Sequence, residues 1–242
     1  MQCVTLSVFR FGALPARLWA FGQMATAPAA LRRVTGLQDF KLCGSGVGEG
    51  FTPIPNTAVY AILGVWPDAG TARRAFHGAR VFRGYRAHAV ETRTIYLTPS
   101  STRGAWAGRA PFEAQDIAPE GPIAALTRAT VKPSVLLRFW RRAPDISKVI
   151  GADPNVMFKI GIGEVPWLQQ VTFSIWPDTA TMANFARRDG PHARAIAAVR
   201  REGWFREELY ARFRVDAIEG RWEGQDPDPL PTQMTDMKVA AE

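Results

Sequence analysis

Three histidines are the side chains in this sequence best suited to bind a metal. His192 follows Gly190-Pro191, a pair that predicts proline at the first position of a helix and His192 in its first turn. The helix dipole disfavours an imidazolium there, which leaves the neutral ring that binds a metal or a haem iron. His77 lies on a predicted helix and His88 just before a strand, where surface contacts are the ordinary role of histidine. We therefore predict His192 as the metal ligand, with His77 as the second choice.

Other catalytic arrangements lack their partners in this sequence. None of the histidines lies near a GxSxG motif, which argues against a nucleophilic hydrolase. Cys3 and Cys43 are isolated thiols without CxxC or Cys/His spacing, so we expect two buried thiols rather than a metal centre or a disulfide. The glycine-rich stretch from Cys43 to Gly50 is not followed by GK[ST] or by a helix, which excludes a typical nucleotide-binding loop. A loop over the mouth of a cavity and a plain loop both stay open.

Composition indicates a globular, basic protein. The 242 residues are 47% hydrophobic and carry a net charge of +8, which favours an acidic partner, an anionic lipid surface or a nucleic acid. No apolar run reaches the roughly 18 to 20 residues of a membrane-spanning helix, and the N-terminus lacks a secretory signal pattern, so we expect a cytoplasmic protein. The stretch Ser134–Arg142 (SVLLRFWRR) is typical either of docking to an anionic membrane or of packing on a sheet with its arginines in solvent.

The chain contains an internal repeat of long period. Ala58–Phe76 and Gln170–Phe185 share an apolar run, the tripeptide WPD and a helical pattern, with Trp66 and Trp176 separated by 110 positions. Two further matches keep the same order, FKLCG with FKIGI and RGAWAG with EGRWEG, at offsets of 118 and 116. In each WPD we expect Trp to end a strand, Pro to stop the ladder and Asp to cap a helix. The repeat predicts a tandem duplication.

Each half then has the order β-α-β-β-α-β of a ferredoxin-like unit. The predicted elements of the first half are Val4–Phe11, Leu14–Leu31, Phe40–Gly44, Val59–Trp66, Gly70–Phe82 and Ala89–Leu97. Those of the second half are Ile123–Val131, Ser134–Ile150, Val156–Ile162, Gln170–Trp176, Thr179 to about Phe205, and Tyr210–Ile218. We predict an α+β fold in which halves 1–112 and 120–224 pack their sheets as a fused dimeric α+β barrel around a cavity. The polar, proline-rich residues 225–242 are predicted to be a disordered tail.

Several long segments carry a resemblance to a known family. These are FKLCGSGVGEGF, PNTAVYAILGVWPD, PIAALTRATVKP with RFWRRAPD, KIGIGEVPWLQQVTFSIWPD, DGPHARAI and GWFREELYARF. Together they resemble the spheroidene monooxygenase family of purple photosynthetic bacteria, from about Val4 to Gly224. The resemblance implies two hydroxylations of an acyclic carotenoid at C-2, giving a gem-diol that loses water to leave a ketone, as from spheroidene to spheroidenone. Spirilloxanthin-type carotenoids are related substrates.

The resemblance also implies haem of the b type, dioxygen and reduced ferredoxin as electron donor. In that case His192 would ligate the iron, while Arg194, Arg128 and Lys159 could pair with the haem propionates. Trp66, Trp176 and Phe173 are the aromatic side chains we expect around the substrate pocket. A basic surface would suit an acidic ferredoxin and peripheral contact with the cytoplasmic side of the photosynthetic membrane.

Three other functions stay open from the sequence. A cofactor-free monooxygenase on a ferredoxin-like barrel would be colourless when purified. A non-catalytic module would only hold carotenoid or bind lipid. Nucleic-acid binding is the weakest alternative, because no aromatic pair with basic spacing stands on the predicted strands.

Overall fold

A computed structural model of the chain describes residues 1–48, 50, 52–117, 120–141, 153–187 and 202–227. Its strands are β1 (Cys3–Arg10), β2 (Asp39–Gly46), β3 (Pro55–Trp66), β4 (Glu91–Gly104), β5 (Ile123–Val131), β6 (Phe158–Gly163), β7 (Gln169–Trp176) and β8 (Phe205–Gly220). Its helices are α1 (Leu14–Leu31), α2 (Ala69–Gly78), α3 (Arg80–His88) and α4 (Thr179–Arg187), with a 3₁₀ turn, Pro133–Val135, leading into helical residues 136–141. None of the described helices has the length and hydropathy of a membrane-spanning segment.

The eight strands form one closed antiparallel barrel in the order β1-β3-β2-β6-β7-β5-β8-β4. Each half of the chain supplies four neighbouring strands in the same internal order, as the ferredoxin-like prediction requires. Two seams join the halves. The β4–β8 seam has eleven residue pairs, whereas the β2–β6 seam has only two, Gly44 with Gly163 and Ser45 with Ile162. The predicted α+β class and barrel are confirmed, and the tandem duplication stays a prediction.

The barrel interior is filled by side chains, so the predicted cavity between the sheets is wrong. Alternate residues of all eight strands point inward, as the two-residue period of a strand requires. Val4, Leu6, Ile95, Phe173 and Phe213 are fully buried there. An eight-stranded barrel has an interior just wide enough for such side chains to fill it. In the described part of the chain, the barrel interior is thus occupied by side chains.

The first half covers the outer face of its sheet with three helices. Apolar residues of α1, α2 and α3 pack with outward-facing side chains of the sheet in a second core. The sequence predicted a single helix over Gly70–Phe82, but the chain breaks at Ala79, whose backbone is extended. In one continuous helix Phe76 and Phe82 would point roughly 120° apart. The break lets both rings face the same core, with ring centroids 5.7 Å apart.

The two WPD segments have the structural roles expected from the sequence. The indole N–H of Trp66 donates to Thr5 at 2.9 Å, and that of Trp176 donates to Ser174 at 2.9 Å. Each aspartate that follows accepts the backbone N–H three residues on, at 2.7 Å for Asp68 and 2.7 Å for Asp178. These hydrogen bonds lower the pKa of both carboxyl groups, which is what a helix N-cap does.

The second half departs from its predicted elements at two places. Phe205 begins β8 rather than ending a helix, because the strand extends five residues further toward the N-terminus than its repeat pattern indicated. Of the predicted helices, residues 142–152 and 188–201 lie outside the described residues, as do residues 228–242 of the predicted tail. The domain limits 1–112 and 120–224 stay a prediction, although strands of both halves share one barrel.

Two loops that each contain a buried tryptophan cover the two ends of the barrel. Each loop is held by a glutamate from the other half of the chain. Trp106, after β4 of the first half, is fully buried in the common core, while Glu207 of β8 accepts the next two backbone N–H groups of its loop at 2.8 and 2.6 Å. Trp222, after β8, is buried in the same way, and Glu91 of β4 accepts the N–H groups of its loop at 3.1 and 2.7 Å. The matched segments RGAWAG and EGRWEG are these loops.

Candidate functional site

An open groove crosses the outer side of the short β2–β6 seam and has a volume of about 170 Å³. Its floor contains Gly44 and Gly163, whose lack of side chains leaves the backbone accessible. A Cβ added at Gly44 would meet no atom within 4 Å, so open space lies directly above it. One wall is α1, through Phe21 and Met24. The opposite wall comprises the loop between β6 and β7 and the helical residues 136–141.

Two tryptophans hold that opposite wall in place. Trp167 donates its indole N–H to the backbone oxygen of Pro53 at 2.7 Å, which ties the β6–β7 loop to the loop before β3. Trp140 in turn donates to the backbone oxygen of Trp167 at 2.9 Å. Trp167 has a left-handed backbone with φ of 64° and is 53% exposed. Strain of this kind in a bulky residue persists where the surroundings hold it, often at ligand sites.

The exposed surface of the groove is mostly apolar, but its lining also contains polar side chains, among them Glu164, Asn56 and two glutamines. Gln169 and Gln170 both line it at the start of β7. The Oε1 of Gln169 and the Nε2 of Gln170 are buried and have no hydrogen-bond partner among the described residues. A ligand oxygen or hydroxyl would satisfy such atoms, which otherwise carry a desolvation cost. The groove therefore suits an elongated apolar ligand with an oxygen function near one end.

Beside the groove, the outer face of the second half's sheet differs in character from that of the first. The two sheets can be aligned through Trp66, which pairs with Cys3, and Trp176, which pairs with Ile123. At equivalent outward positions the first half has Phe9, Phe40, Tyr60 and Ile62, and the second half has Ala129, Lys159, Gln170 and Thr172. Four large side chains are thus replaced by small or polar ones. The described part of the second half therefore has fewer aromatic side chains on this face than the first half has.

The matched segments FKLCG and FKIGI lie one residue out of register in the structure. Lys41 pairs with Leu63 and points into the barrel, whereas Lys159 pairs with Ser174 and points outward. A shift of one residue moves a side chain to the other face of a sheet. Lys159 therefore lies on the outer face of the sheet, whereas Lys41 lies inside the barrel.

Arg128 lies on the opposite face of the same sheet. Its side chain is 2% exposed inside one barrel mouth, where it forms an ion pair with Glu207 and lies 5.6 Å from the ring of Trp106. Burial raises the pKa of Glu207, but two backbone N–H groups and the Arg128 guanidinium outweigh it and hold the pKa below its ordinary value. Arg128 is thus bound within the barrel, and the structure does not bring it together with Lys159.

The predicted pocket aromatics are also separated. Phe173 is in the barrel core, whereas Trp66 packs under the helices of the first half and Trp176 packs against α4 beside Phe185, at 4.9 Å between ring centroids. None of the three lines the groove. Their role at a substrate pocket stays a prediction, and their contacts are those of core residues.

Among the histidines, His192 lies outside the described residues together with Arg194. His77 is exposed at the end of α2, 3.4 Å from Arg86 through its Nδ1. His88 stacks on Trp19 at 4.0 Å and interacts with the backbone oxygen of Gly84. The described residues contain no cluster of three or more potential metal ligands. Neither His77 nor His88 lines the groove.

Sequence reasoning identified only part of the groove. The stretch from Cys43 to Gly50, expected as a loop over a cavity mouth or as a plain loop, contributes Gly44, Ser45, Gly46 and Gly50 to the lining. Phe21 and Met24 were expected only as part of an amphipathic helix, and Gln169 and Gln170 only as the start of a strand. One usable signal was the dipeptide Pro166-Trp167 between two strands, since a large aromatic residue in a turn is costly unless it contacts something.

Comparison with known proteins identifies sequence relatives along most of the chain. The chain is 51% identical over 232 residues to spheroidene monooxygenase of Cereibacter sphaeroides, covering 94% of this chain and 71% of that protein. It is 49% identical over 230 residues to spheroidene monooxygenase of Rhodobacter capsulatus, covering 94% and 95%. The protein of the same name from Rubrivivax gelatinosus is 32% identical over 210 residues, covering 87% and 81%. No protein-family model matches the chain.

Among solved structures, two of aldoxime dehydratase share the fold. One aligns with a TM-score of 0.62 at 12% identity and covers 88% of this chain and 81% of that one. A complex with butyraldoxime aligns with a TM-score of 0.59 at 10% identity, covering 88% and 79%. At such identities the likeness concerns the fold alone. The sequence relatives, in contrast, are close and extend over nearly the whole chain, and this protein belongs to the spheroidene monooxygenase family of oxidoreductases.

Proposed function

We propose that this protein hydroxylates acyclic carotenoids twice at C-2, so that the resulting gem-diol loses water and leaves the 2-keto product. Spheroidene would give spheroidenone, and spirilloxanthin-type carotenoids would react likewise. The observation that carries the proposal is the apolar groove with its two glutamine side-chain groups, in a chain whose close relatives are named for spheroidene. The tandem duplication is part of the same proposal, supported by the reciprocal tryptophan loops.

The groove fits one end of a polyene rather than the whole molecule. Its volume of about 170 Å³ is below the roughly 300 Å³ at which pockets begin to enclose a drug-sized ligand. A long carotenoid would therefore insert its terminus and leave most of the chain outside. Gln170 could then donate to an oxygen near that terminus, such as the methoxy group beside C-2 of spheroidene, and so present the adjacent carbon for oxidation.

We also propose haem b as the cofactor, bound on the outer face of the second half's sheet. Ala129, Gln170 and Thr172 on this face stand where the first half has large side chains, which favours a planar macrocycle there, and Lys159 on the same face could pair with a propionate. His192 would hold the iron, and Arg194 would pair with the second propionate. Arg128 is a weaker candidate, because it is bound to Glu207 inside the barrel. Haem would supply the activation of dioxygen, which side chains alone cannot perform.

Reduced ferredoxin is the proposed electron donor, and the cytoplasmic side of the photosynthetic membrane the proposed location. The net charge of +8 supports both, since an acidic protein and an anionic surface are each attracted to a basic one. The electron donor can be tested directly, because electrostatic docking weakens as salt screens it. Turnover supported by ferredoxin should fall steeply with ionic strength, whereas turnover supported by a small neutral reductant should not.

The groove is tested by filling it. Gly44→Leu places a side chain in the open space above the floor, where no atom obstructs its Cβ. We expect the variant to fold normally and to lose conversion of detergent-dispersed spheroidene by about tenfold or more, because its leucine occupies the space of the polyene end. Gly22→Leu is the matched control, a glycine on the open side of α1 that is not part of the groove. Equal conversion by wild type and Gly44→Leu would contradict a substrate site in the groove.

Haem is tested by absorption of protein produced with a haem precursor, oxidised and then reduced under carbon monoxide. A Soret band that shifts with carbon monoxide and is lost in His192→Ala, but kept in His77→Ala, is the expected result. A band lost in His77→Ala instead would move the ligand to α2. A colourless protein that still converts spheroidene would indicate the cofactor-free monooxygenase, and a protein that binds carotenoid without converting it would indicate a pigment-binding module.

A further inference from the structure

The outer face of α1 is apolar although it faces solvent. Leu14, Leu18 and Phe21 are 68, 63 and 67% exposed and follow one another at helical spacing. Arg17 is the single charged residue among the 18 residues of the helix. A helix at a protein surface normally presents charged and polar residues to water. The exposed side of α1 therefore has the character of a face that meets a partner.

The other helices of the same half show the ordinary pattern. Arg73, Arg74 and His77 are exposed on α2, and Arg80 and Arg83 are exposed on α3. Their buried sides contact the sheet in the same core that α1 contacts. The apolar face is thus a property of α1 and not of this surface in general.

The sequence around α1 is rich in positive charge. Residues 1–38 contain four arginines, Arg10, Arg17, Arg32 and Arg33, and no aspartate or glutamate, although Arg10 is paired with Glu91 and Glu223. Arg32 and Arg33 are exposed directly after the last turn of the helix. A helix with an exposed apolar strip and with cations at its C-terminal end suits an anionic membrane surface, which offers both acyl chains and phosphates.

The apolar strip runs into the groove. Phe21 is both the last large residue of the strip and a wall of the groove. Across the groove stands Trp167, 53% exposed, with Ile54, 61% exposed, next to its partner Pro53. Tryptophan is the residue that favours the boundary between headgroups and acyl chains. The groove therefore opens on the same apolar surface that α1 presents.

We propose that the exposed face of α1, with Trp167 and Ile54 across the groove, docks onto an anionic lipid bilayer and places the mouth of the groove at the acyl boundary. A polyene dissolved in the bilayer then enters the groove end-first without crossing water. This entry of the polyene rests on the proposed carotenoid oxidation, whereas the docking is inferred from the surface residues alone. The occupant is a lipid surface, rather than a second copy of the chain or an acidic protein.

The docking is tested with the full chain and lipid vesicles. Phosphatidylcholine vesicles with and without phosphatidylglycerol are sedimented with wild type and with Leu14→Ser/Leu18→Ser, two positions that do not line the groove. We expect wild type to bind vesicles with phosphatidylglycerol more strongly than vesicles without it, with an affinity that falls as salt is added. The affinity of the double variant for the anionic vesicles should be lower by about tenfold or more. Met157→Ser, an exposed apolar residue before β6 at the end far from the groove, should bind as wild type does.

Activity separates the docking from the proposed reaction. The double variant should convert detergent-dispersed spheroidene as wild type does and lose conversion of spheroidene carried in vesicles. Vesicle binding that depends on Leu14 and Leu18 in a protein that converts spheroidene in neither form would refute the reaction and leave the docking intact. Conversion together with vesicle binding unchanged in the double variant would overturn the docking.

Two further measurements decide against other partners. If Leu137→Ser, on helical residues 136–141, abolished vesicle binding while the double variant kept it, the membrane surface would be the arginine-rich segment and the proposal would be wrong. If light scattering showed a dimer of wild type that the double variant converts to a monomer, the α1 face would be an interface between copies. Folding of each variant is checked by an unchanged circular dichroism spectrum and melting temperature.

Discussion

At the scale of single residues, an arginine–glutamate ion pair lies at each end of the barrel, and we expect the two pairs to differ in how much they stabilise the protein. Arg128 with Glu207 closes one mouth and Arg10 with Glu91 closes the other. The Arg128 side chain is 2% exposed, whereas that of Arg10 is 33% exposed. A cation without water depends on its carboxylate much more than a half-solvated one does. Loss of the carboxylate should therefore be felt mainly at the Arg128 mouth.

We predict that Glu207→Gln lowers the free energy of unfolding by about 3 kcal/mol, because it leaves Arg128 buried without its counter-charge. Glu91→Gln is the matched control, with an expected loss of about 1 kcal/mol or less. Urea titrations followed by circular dichroism measure both values. Equal losses in the two variants would show that burial of the arginine does not set the strength of the pair.

The same carboxylates predict a sensitivity to acid. The pKa values of Glu207 and Glu91 are held below the ordinary 4.5, since hydrogen bonds from their loops and the paired arginines outweigh the effect of burial. A carboxyl with a lowered pKa in the folded state stabilises the protein fully above its unfolded value and loses that contribution as the pH falls. We expect the melting temperature to drop between about pH 5 and pH 3, less steeply in Glu207→Gln. If the melting temperature of Glu207→Gln fell with pH as steeply as that of wild type, Glu207 would not be a source of the acid sensitivity.

At the scale of elements, the short seam is the part of the barrel most sensitive to a single methyl group. Gly44 and Gly163 face each other across it. A Cβ at Gly163 would stand 2.3 Å from the backbone oxygen of Gln169, whereas one at Gly44 would meet nothing within 4 Å. We predict that Gly163→Ala costs about 2 kcal/mol through overpacking, and that Gly44→Ala stays within about 0.5 kcal/mol of wild type. Thermal unfolding of the pair, each against wild type, measures the difference. A tolerated Gly163→Ala would mean that the β6–β7 loop moves freely.

Sequence patterns predicted the elements better than the relations between them. Strand alternation and the WPD segments gave every strand and the cap of each following helix, because these depend on neighbouring residues. The inward or outward direction of Lys41 and Lys159 could not be predicted from the shared letters FK, since a one-residue shift in pairing decides it. The break at Ala79 was missed for a similar reason: it serves the packing of Phe76 and Phe82 against a sheet that the helix itself does not encode.

The candidate site was the least predictable part. The groove combines α1, the β2–β6 seam and the β6–β7 loop, and it exists because two strands pair over only two residues. Local sequence contains no signal for the length of a seam. The resemblance supplied the chemistry, but it could not say that the space lies outside the barrel or that Arg128 is bound to Glu207 within it.

At the scale of the whole molecule, the two halves depend on each other. Trp106 of the first half is packed at the mouth that carries Glu207, and Trp222 of the second half at the mouth that carries Glu91. We predict that Trp222→Ala lowers stability by about 3 kcal/mol and that unfolding stays a single transition, because strands of both halves share the barrel core. Coincident curves from near- and far-ultraviolet circular dichroism would support this. Separate transitions would show that the halves fold independently.

The position of β8 has a consequence for how the protein is made. This strand is the last of the eight to leave the ribosome, yet it closes the barrel by pairing with β5 on one side and β4 on the other. Until it arrives, the nascent chain has two unpaired strand edges and an open mouth over Glu91, both of which invite contact with other unfinished chains. Slow synthesis of the segment before Phe205 would prolong that exposure. A cell making this protein must therefore protect a nearly complete chain, rather than a growing first domain, until the last strand arrives.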